Sequence, residues 1–552
     1  MTPRQLLTRY SFQSLFRSEA MSEAGIDAYR AWLISIAVAL VCFHIHFARL
    51  LATKYGFIAN TQDHALFRSV FAADELFYLS ASFVFITLIA TLQWQSLFPG
   101  ERDFQILSPL PIRRADIFLA RITALAIFLS MFLLAFNIPP ALILPAFALS
   151  QNFWAHLIGG LGASLHAFFS VLALQGLCLT ILPHRLRSSA SFLIQSTLLI
   201  AAIALIPIVF HIPGLNRLLD TRAEWLTWIP SVWWLGVCET LNGSQEPWHH
   251  AMSNRAIIAG TASVIIAGAT YLNLYRRFSD FAAPARPVAK SPSKILWLAR
   301  RDDNAMLAFL IWTLARSAQH RLILSAIAAV GVSLALDGFM STYIRQWTRG
   351  RDAQGLFLET ALALPLLLTF SLTAALRMSF RIPHEWQANW IFKLTETSTS
   401  RPGQLEATVA AMYWLAVIPA VVTALPFQYA ALGPAKALAA VPLLVALNAC
   451  LVEYTLQNWQ RLPFTATYAP SHTPAAVNFV LFLAAFSIYG YGGAALVGRL
   501  IESPLNWLLA AASLFTIWLF LRRKRRSHWG HEPFTFADDG DPTVQVTNFA
   551  PE

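Results

Sequence analysis

Long apolar stretches separated by short polar ones run through this chain from one end to the other. A helix of roughly 20 mostly apolar residues crosses a bilayer, and about twelve stretches reach that length. Their centres fall near Leu40, Phe83, Phe128, Phe168, Leu199, Ile265, Ala328, Leu366, Trp414, Leu443, Phe482 and Leu509. The connections are mostly short and leave little room for a soluble domain. This pattern predicts an all-α polytopic membrane protein with about 12 transmembrane helices. Two further apolar segments are too short to cross. LLTRYSFQSL (Leu6–Leu15) precedes the first span and NAMLAFLIWTLARS (Asn304–Ser317) precedes the seventh. Each reads as an amphipathic helix lying in the membrane interface.

The placement of these segments, one before each set of six spans, suggests a duplication. Pro-containing loops recur after the second and eighth spans, as SPLPIRR (Ser108–Arg114) and FRIPHEW (Phe380–Trp386). The fourth and tenth spans run into Leu182–Pro183 and Leu462–Pro463, and the sixth and twelfth into basic clusters at Arg276–Arg277 and Arg522–Arg526. The expected organisation is a first transmembrane half over 1–281, a Pro/Ala/Lys-rich linker over 282–294, a second half over 295–528 and a flexible polar tail over 529–552. The two six-helix halves would be parallel repeats about an axis along the membrane normal.

Composition agrees with lipid as the solvent. Of the residues, 57% are hydrophobic and 12% charged, the mean hydropathy is +0.54, and soluble chains carry about 25% charged residues. The net charge of +11 and pI near 9.7 would suggest nucleic acid in a soluble protein. In a polytopic chain they report topology, because Lys and Arg collect in cytoplasmic loops. With the N-terminus inside, roughly 28 of the 40 Lys and Arg lie on the cytoplasmic side and about 11 outside. Both termini are therefore expected to be cytoplasmic, with no nucleic-acid partner. Met1–Arg30 is charged and lacks an early apolar core, so the first span itself should direct insertion.

Little of the sequence points to an enzyme. There is no G-x-x-x-x-G-K-[ST] and no Gly-Lys dipeptide, so any ATP would be bound by a partner subunit. His384–Glu385 begins like a zinc-protease helix, but Ala388 stands where a second ligand is required. His44, His46, His249 and His250 lack convincing ligand spacing, and no metal or cofactor is expected in this chain. Four scattered cysteines are too few for a disulfide framework. Cys42, Cys178 and Cys450 fall in spans and Cys238 in an external segment, and all read as small apolar fillers.

Other features draw attention to the loops. ERDFQILSPLPIRRADIFLAR (Glu101–Arg121) joins the second and third spans on the cytoplasmic side. A simple turn does not need that length, and a short helix displaying Leu107, Leu110 and Ile112 would make a docking surface. The segment resembles the cytoplasmic loop of type 2 ABC transporter permeases, in which an acidic residue precedes a Leu-rich stretch, a Leu-Pro pair and a basic pair. In that family the loop is a coupling helix seated in a cleft of the ATPase subunit. The resemblance assigns ATPase coupling to Glu101, Asp103, Leu107, Pro109, Leu110, Pro111, Ile112, Arg113 and Arg114. It covers the first half best, and the family's usual chain has one six-span unit, where this one carries two. In the second half, IPHEWQANWIFKL (Ile382–Leu394) occupies the corresponding loop. Its Pro383, Glu385, Trp386 and Trp390 read either as a second ATPase contact or as an interfacial anchor.

Four carboxylates, Glu75, Asp337, Glu359 and Glu453, fall at or near membrane depth, where charge is expensive and marks candidate pathway residues. WLTWIPSVWW (Trp225–Trp234) reads as an interfacial or re-entrant hairpin, with an external gate for an amphiphilic cargo as the alternative. Pro139, Pro140 and Pro145 should break the third span into two short helices. The expected function is the permease subunit of an ABC exporter in a bacterial inner membrane, moving an unidentified substrate. A proton- or ion-coupled secondary transporter and a non-transport membrane scaffold remain as alternatives.

Overall fold

A computed structural model describes residues 3–14, 25–98, 107, 109, 112–147, 152–277, 305–349, 354–382, 401–459, 461–465 and 475–531. The chain divides into two compact units, Met1–Ala289 and Lys290–Glu552. Among the described residues every regular element is a helix.

The first unit contains α1 (Pro3–Ser14), α2 (Gly25–Ala59), α3 (His64–Leu92), α4 (Arg114–Phe147), α5 (Phe153–Ile181), α6 (His184–His211), α7 (Pro230–Leu241) and α8 (Pro247–Arg276). The second contains α9 (Ala305–Arg316), α10 (Ala318–Arg349), α11 (Gln354–Ser379), α12, α13 (Pro434–Thr455), α14 and α15 (Pro504–His531). Two of these carry a π turn. In α12 it is Tyr413–Val417, between Arg401–Met412 and Ile418–Leu432, and in α14 it is Ile488–Gly492, between Ala475–Ser487 and Gly493–Leu500.

Among the described residues, eleven helices are long and apolar enough to cross a membrane, and each contains one of the expected centres from Phe83 to Leu509. Leu40 lies in α2, whose 35 residues amount to about 52 Å of helix. Large apolar side chains such as Ile258, Ile265, Leu505, Leu508 and Phe520 stand exposed. A soluble surface does not tolerate such continuous apolar exposure, whereas acyl chains match it. The protein is an all-α polytopic membrane protein. The 12-residue α1 and α9 are too short to cross.

In the first unit α3 is the most buried span and packs against α2, α4, α5, α6 and α7, while α1 lies on α4, and α8 on α5 and α7. In the second unit α11 is the most buried span and packs against α10, α12, α13 and α14, while α9 lies on α12, and α15 on α13.

The prolines of the third span do not divide it: α4 runs unbroken from Arg114 to Phe147 with Pro139, Pro140 and Pro145 inside it. Proline at a position removes the N–H that would reach the carbonyl four residues earlier, so Pro139 releases the carbonyl of Ala135. That carbonyl lies 3.1 Å from His44 Nε2. A carbonyl can only accept, so Nε2 is the donor. A buried imidazole on α2 thus supplies the hydrogen bond that the proline removed, and the helix continues. His44→Ala should cost about 1–3 kcal/mol, the penalty for an orphaned buried acceptor. The exposed His46 provides the control: thermal unfolding in detergent should fall for His44→Ala and stay level for His46→Ala.

The Trp-rich segment forms a 3₁₀ turn (Glu224–Trp228) and then α7, which has 12 residues. Trp225 and Trp228 are exposed and Trp234 is buried. The 12-residue α7 is too short to cross a membrane and packs against α3, α5 and α8.

Candidate functional site

The loop between α3 and α4 differs from expectation at its apolar positions. Leu107 is buried, clustered with Leu7 of α1 and with Ile117 and Ala120 of α4, and Ile112 is half-buried against the same group. Leu107 is therefore covered within the chain, while Ile112 keeps part of its surface open. Leu7 of the N-terminal helix and Leu107 of the loop are thereby both removed from water. Pro109 and Arg113 stay exposed, and Arg114 opens α4. Glu101, Asp103, Leu110 and Pro111 lie outside the described residues, as do Pro383, Glu385, Trp386 and Trp390 of the second loop.

His320 carries a structural role that no local motif announces. It is fully buried at the start of α10, with Nε2 3.0 Å from the Ile382 carbonyl and Nδ1 2.6 Å from Ser317 Oγ. Nε2 must donate to the carbonyl, so Nδ1 accepts from the hydroxyl. The ring fastens the α9–α10 junction to the exit from α11.

The four nominated carboxylates divide into two kinds. Glu75 and Glu453 are buried, whereas Asp337 and Glu359 are exposed. In the second unit, Arg525 of α15 donates from Nε to Glu453 Oε2 at 2.5 Å, and its Nη2 lies 3.4 Å from Glu406 Oε1. Arg526 Nε also donates to Glu406 Oε1, at 2.8 Å. The ends of α13 and α15 and the start of α12 are joined by this cluster.

In the first unit Asp74 and Glu75 are neighbours on α3, and the helical turn of about 100° per residue sends them to different partners. Asp74 accepts from Lys54 Nζ at 2.7 and 2.8 Å and from Tyr55 O–H at 2.7 Å. Glu75 Oε1 lies 3.1 Å from His156 Nδ1, in the first turns of α5. Cys238 of α7 completes this group: one ligand atom from each of Glu75, His156 and Cys238 lies within 4.8 Å of the other two, and all three residues are buried.

Small residues bring these helices together. A Cβ on Gly159 would collide with Cys238 Sγ, and one on Gly162 with the Trp234 ring. α7 therefore seats directly on the backbone of α5, as small residues permit between membrane helices. Asn152 Oδ1 caps α5 by accepting from Trp154 N–H at 3.0 Å, and Asn152 N–H donates to Asn242 Oδ1 at 3.0 Å, which ties this cap to the end of α7. Trp234 Nε1 donates to His166 Nδ1 at 3.1 Å. Deeper in the unit, the Ser82 and Ser164 hydroxyls lie 2.5 Å apart, and Asn137 Nδ2 donates to Ser164 Oγ at 3.0 Å.

Burial, reinforced by the Glu75 carboxylate, raises the Cys238 thiol well above its usual range. Burial, then Glu75 and Glu246, pushes Glu239 up to about 7. Beside this group a cavity of about 360 Å³ is lined by Leu76, Phe83, Leu205, Trp225 and Trp228, with the hydrogen-bonded pair Ser80 and Ser231 as its hydroxyls. Its size falls within the range of small-molecule sites, and its walls are apolar.

No protein family, no curated protein and no solved structure matches this chain.

Proposed function

We propose that this protein is the permease subunit of a type 2 ABC exporter in a bacterial inner membrane, driven by a separate ATPase subunit. The reading rests chiefly on the contact of α1 with the loop between α3 and α4. Leu7 and Leu107 bury each other and leave Pro109 and Arg113 on the surface, so a force applied to the loop would reach α4 through packed side chains. The order of helices supports two parallel halves. α1 on α4 matches α9 on α12, α3 on α6 matches α11 on α14, and α5 with α8 matches α13 with α15. With both termini cytoplasmic, the Leu107 contact and the Glu453 cluster lie towards the cytoplasm and the Glu75 group towards the outside. The apolar cavity suits an amphiphilic or lipid-like cargo.

The test leaves the buried contact intact. Pro109→Gly with Arg113→Glu should abolish co-purification of the partner ATPase and reduce transport to the level without ATP. Association that survives this double variant would overturn the assignment.

Buried Glu75 beside His156 favours a second reading, a proton- or ion-coupled carrier, because ionisable groups at membrane depth serve proton relays. Transport by that carrier would continue under ATPase inhibition and collapse with a protonophore. The exporter would show the reverse.

A further inference from the structure

We propose that Glu75, His156 and Cys238 form a binding site for a divalent transition-metal ion of the zinc type. The donors come from three helices, α3, α5 and α7, far apart in sequence. They are one carboxylate, one imidazole nitrogen and one thiol, all buried, with ligand atoms within 4.8 Å of one another. Tetrahedral zinc takes oxygen and nitrogen at about 2.0–2.2 Å and sulfur at about 2.3 Å, which sets neighbouring donors roughly 3.3–3.8 Å apart. The 3.1 Å between Glu75 Oε1 and His156 Nδ1 is already close to that spacing, so small side-chain movements would close the triangle.

Two further observations point to a cation. Glu75 is fully buried, and its Oε2 has no hydrogen-bond partner among the described residues. An ionised oxygen in that position carries a large desolvation cost that a bound cation would remove. Charge balance also fits. On binding, the thiol proton goes to solvent and the hydrogen that Nδ1 directs at Glu75 moves to Nε2 by exchange with solvent, so a divalent ion then faces one carboxylate, one thiolate and one neutral imidazole and the buried complex is electrically neutral. The mixed oxygen, nitrogen and sulfur set excludes magnesium and calcium, which require mostly oxygen, and matches zinc or cobalt.

Glu239 is half-buried next to Cys238, and Glu246 is exposed at the turn into α8 with His250 beyond it. The close seat of Cys238 on Gly159 holds the thiol in place. This site does not depend on the exporter reading, and its test involves no transport.

The test uses the full chain, purified in detergent and stripped with a chelator, then titrated with Co²⁺. The expected result is one Co²⁺ per chain with the near-ultraviolet thiolate-to-cobalt charge-transfer absorption, displaced by Zn²⁺. Cys238→Ser should remove that absorption, Cys178→Ser should keep it, and Glu75→Gln should weaken binding by more than about 100-fold, beyond the usual effect of losing an outer-shell partner. Zn²⁺ should also slow maleimide labelling of Cys238 in the unaltered protein, a readout that needs no variant to fold. Absence of the charge-transfer band in the unaltered protein, its survival in Cys238→Ser, or labelling unaffected by Zn²⁺ would each overturn the site.

Discussion

Arg525→Ala is expected to destabilise the second unit by about 3–5 kcal/mol, the cost of leaving a buried charge without its partner. The guanidinium is fully buried, Glu453 is 1% exposed, and the Nε to Oε2 distance is 2.5 Å. Removing the arginine leaves the Glu453 carboxylate in a low-dielectric setting with its main counter-charge gone. Arg526 is the internal control. It sits one residue further along α15, is more than half exposed, and pairs with a partly exposed Glu406, a class of ion pair worth about 0–1 kcal/mol. The double change Arg525→Met with Glu453→Met should recover most of the lost stability, since an apolar pair of similar volume often replaces a buried ion pair without loss. Thermal unfolding of the purified protein measures all three. Equal midpoints for Arg525→Ala and Arg526→Ala would show that the buried pair does not brace the helix ends.

The lengths and positions of the membrane helices were legible because the bilayer imposes one simple rule, enough apolar residues to cross it. That is why the expected centres from Phe83 to Leu509 fall inside eleven membrane-length helices. Proline was harder to read. The local rule predicts a break in α4, but the rule describes an isolated helix, and here His44 from another helix bonds the freed Ala135 carbonyl. Nothing within Pro139–Pro145 announces that donor.

The buried groups were legible only on one side of each contact. Glu75 and Glu453 stand out in an apolar sequence because their charge is costly there. Asp337 and Glu359 stand out equally, yet they are exposed, because one-dimensional hydropathy does not tell which side of a helix faces the interior. Asp74 passed unnoticed beside Glu75, although Lys54 and Tyr55 both bond it. The partners His156 and Arg525 lie 81 and 72 residues away from Glu75 and Glu453, separations that no local motif encodes. Cys238 reads as an apolar filler for the same reason, since only folding places it beside a carboxylate and an imidazole. At the loop between α3 and α4 the apolar positions were recognisable as a surface needing a partner. Leu107, at least, finds that partner in the chain's own α1.

Gly162→Ala should disturb the packing of α7 on α5 more than its single methyl group suggests. The added Cβ would run into the Trp234 ring, a flat, rigid side chain that is buried and holds a 3.1 Å hydrogen bond to His166. The ring has little freedom to retreat, so α7 must lift from α5 or the Trp234 to His166 bond must break. Overpacking of this kind costs about 1–3 kcal/mol, and a stranded buried Trp234 N–H would add to it. Gly268→Ala is the matched control on α8, where a Cβ meets nothing within 4 Å, and relief of the helical glycine penalty should stabilise by up to about 1 kcal/mol. The two variants are therefore expected to move the unfolding midpoint in opposite directions. Because α7 carries Cys238, lifting it should also speed maleimide labelling of that thiol in Gly162→Ala and leave the rate unchanged in Gly268→Ala. A Gly162→Ala protein as stable as the Gly268→Ala protein, with Cys238 equally protected, would mean that α7 is not seated on α5 through its glycines.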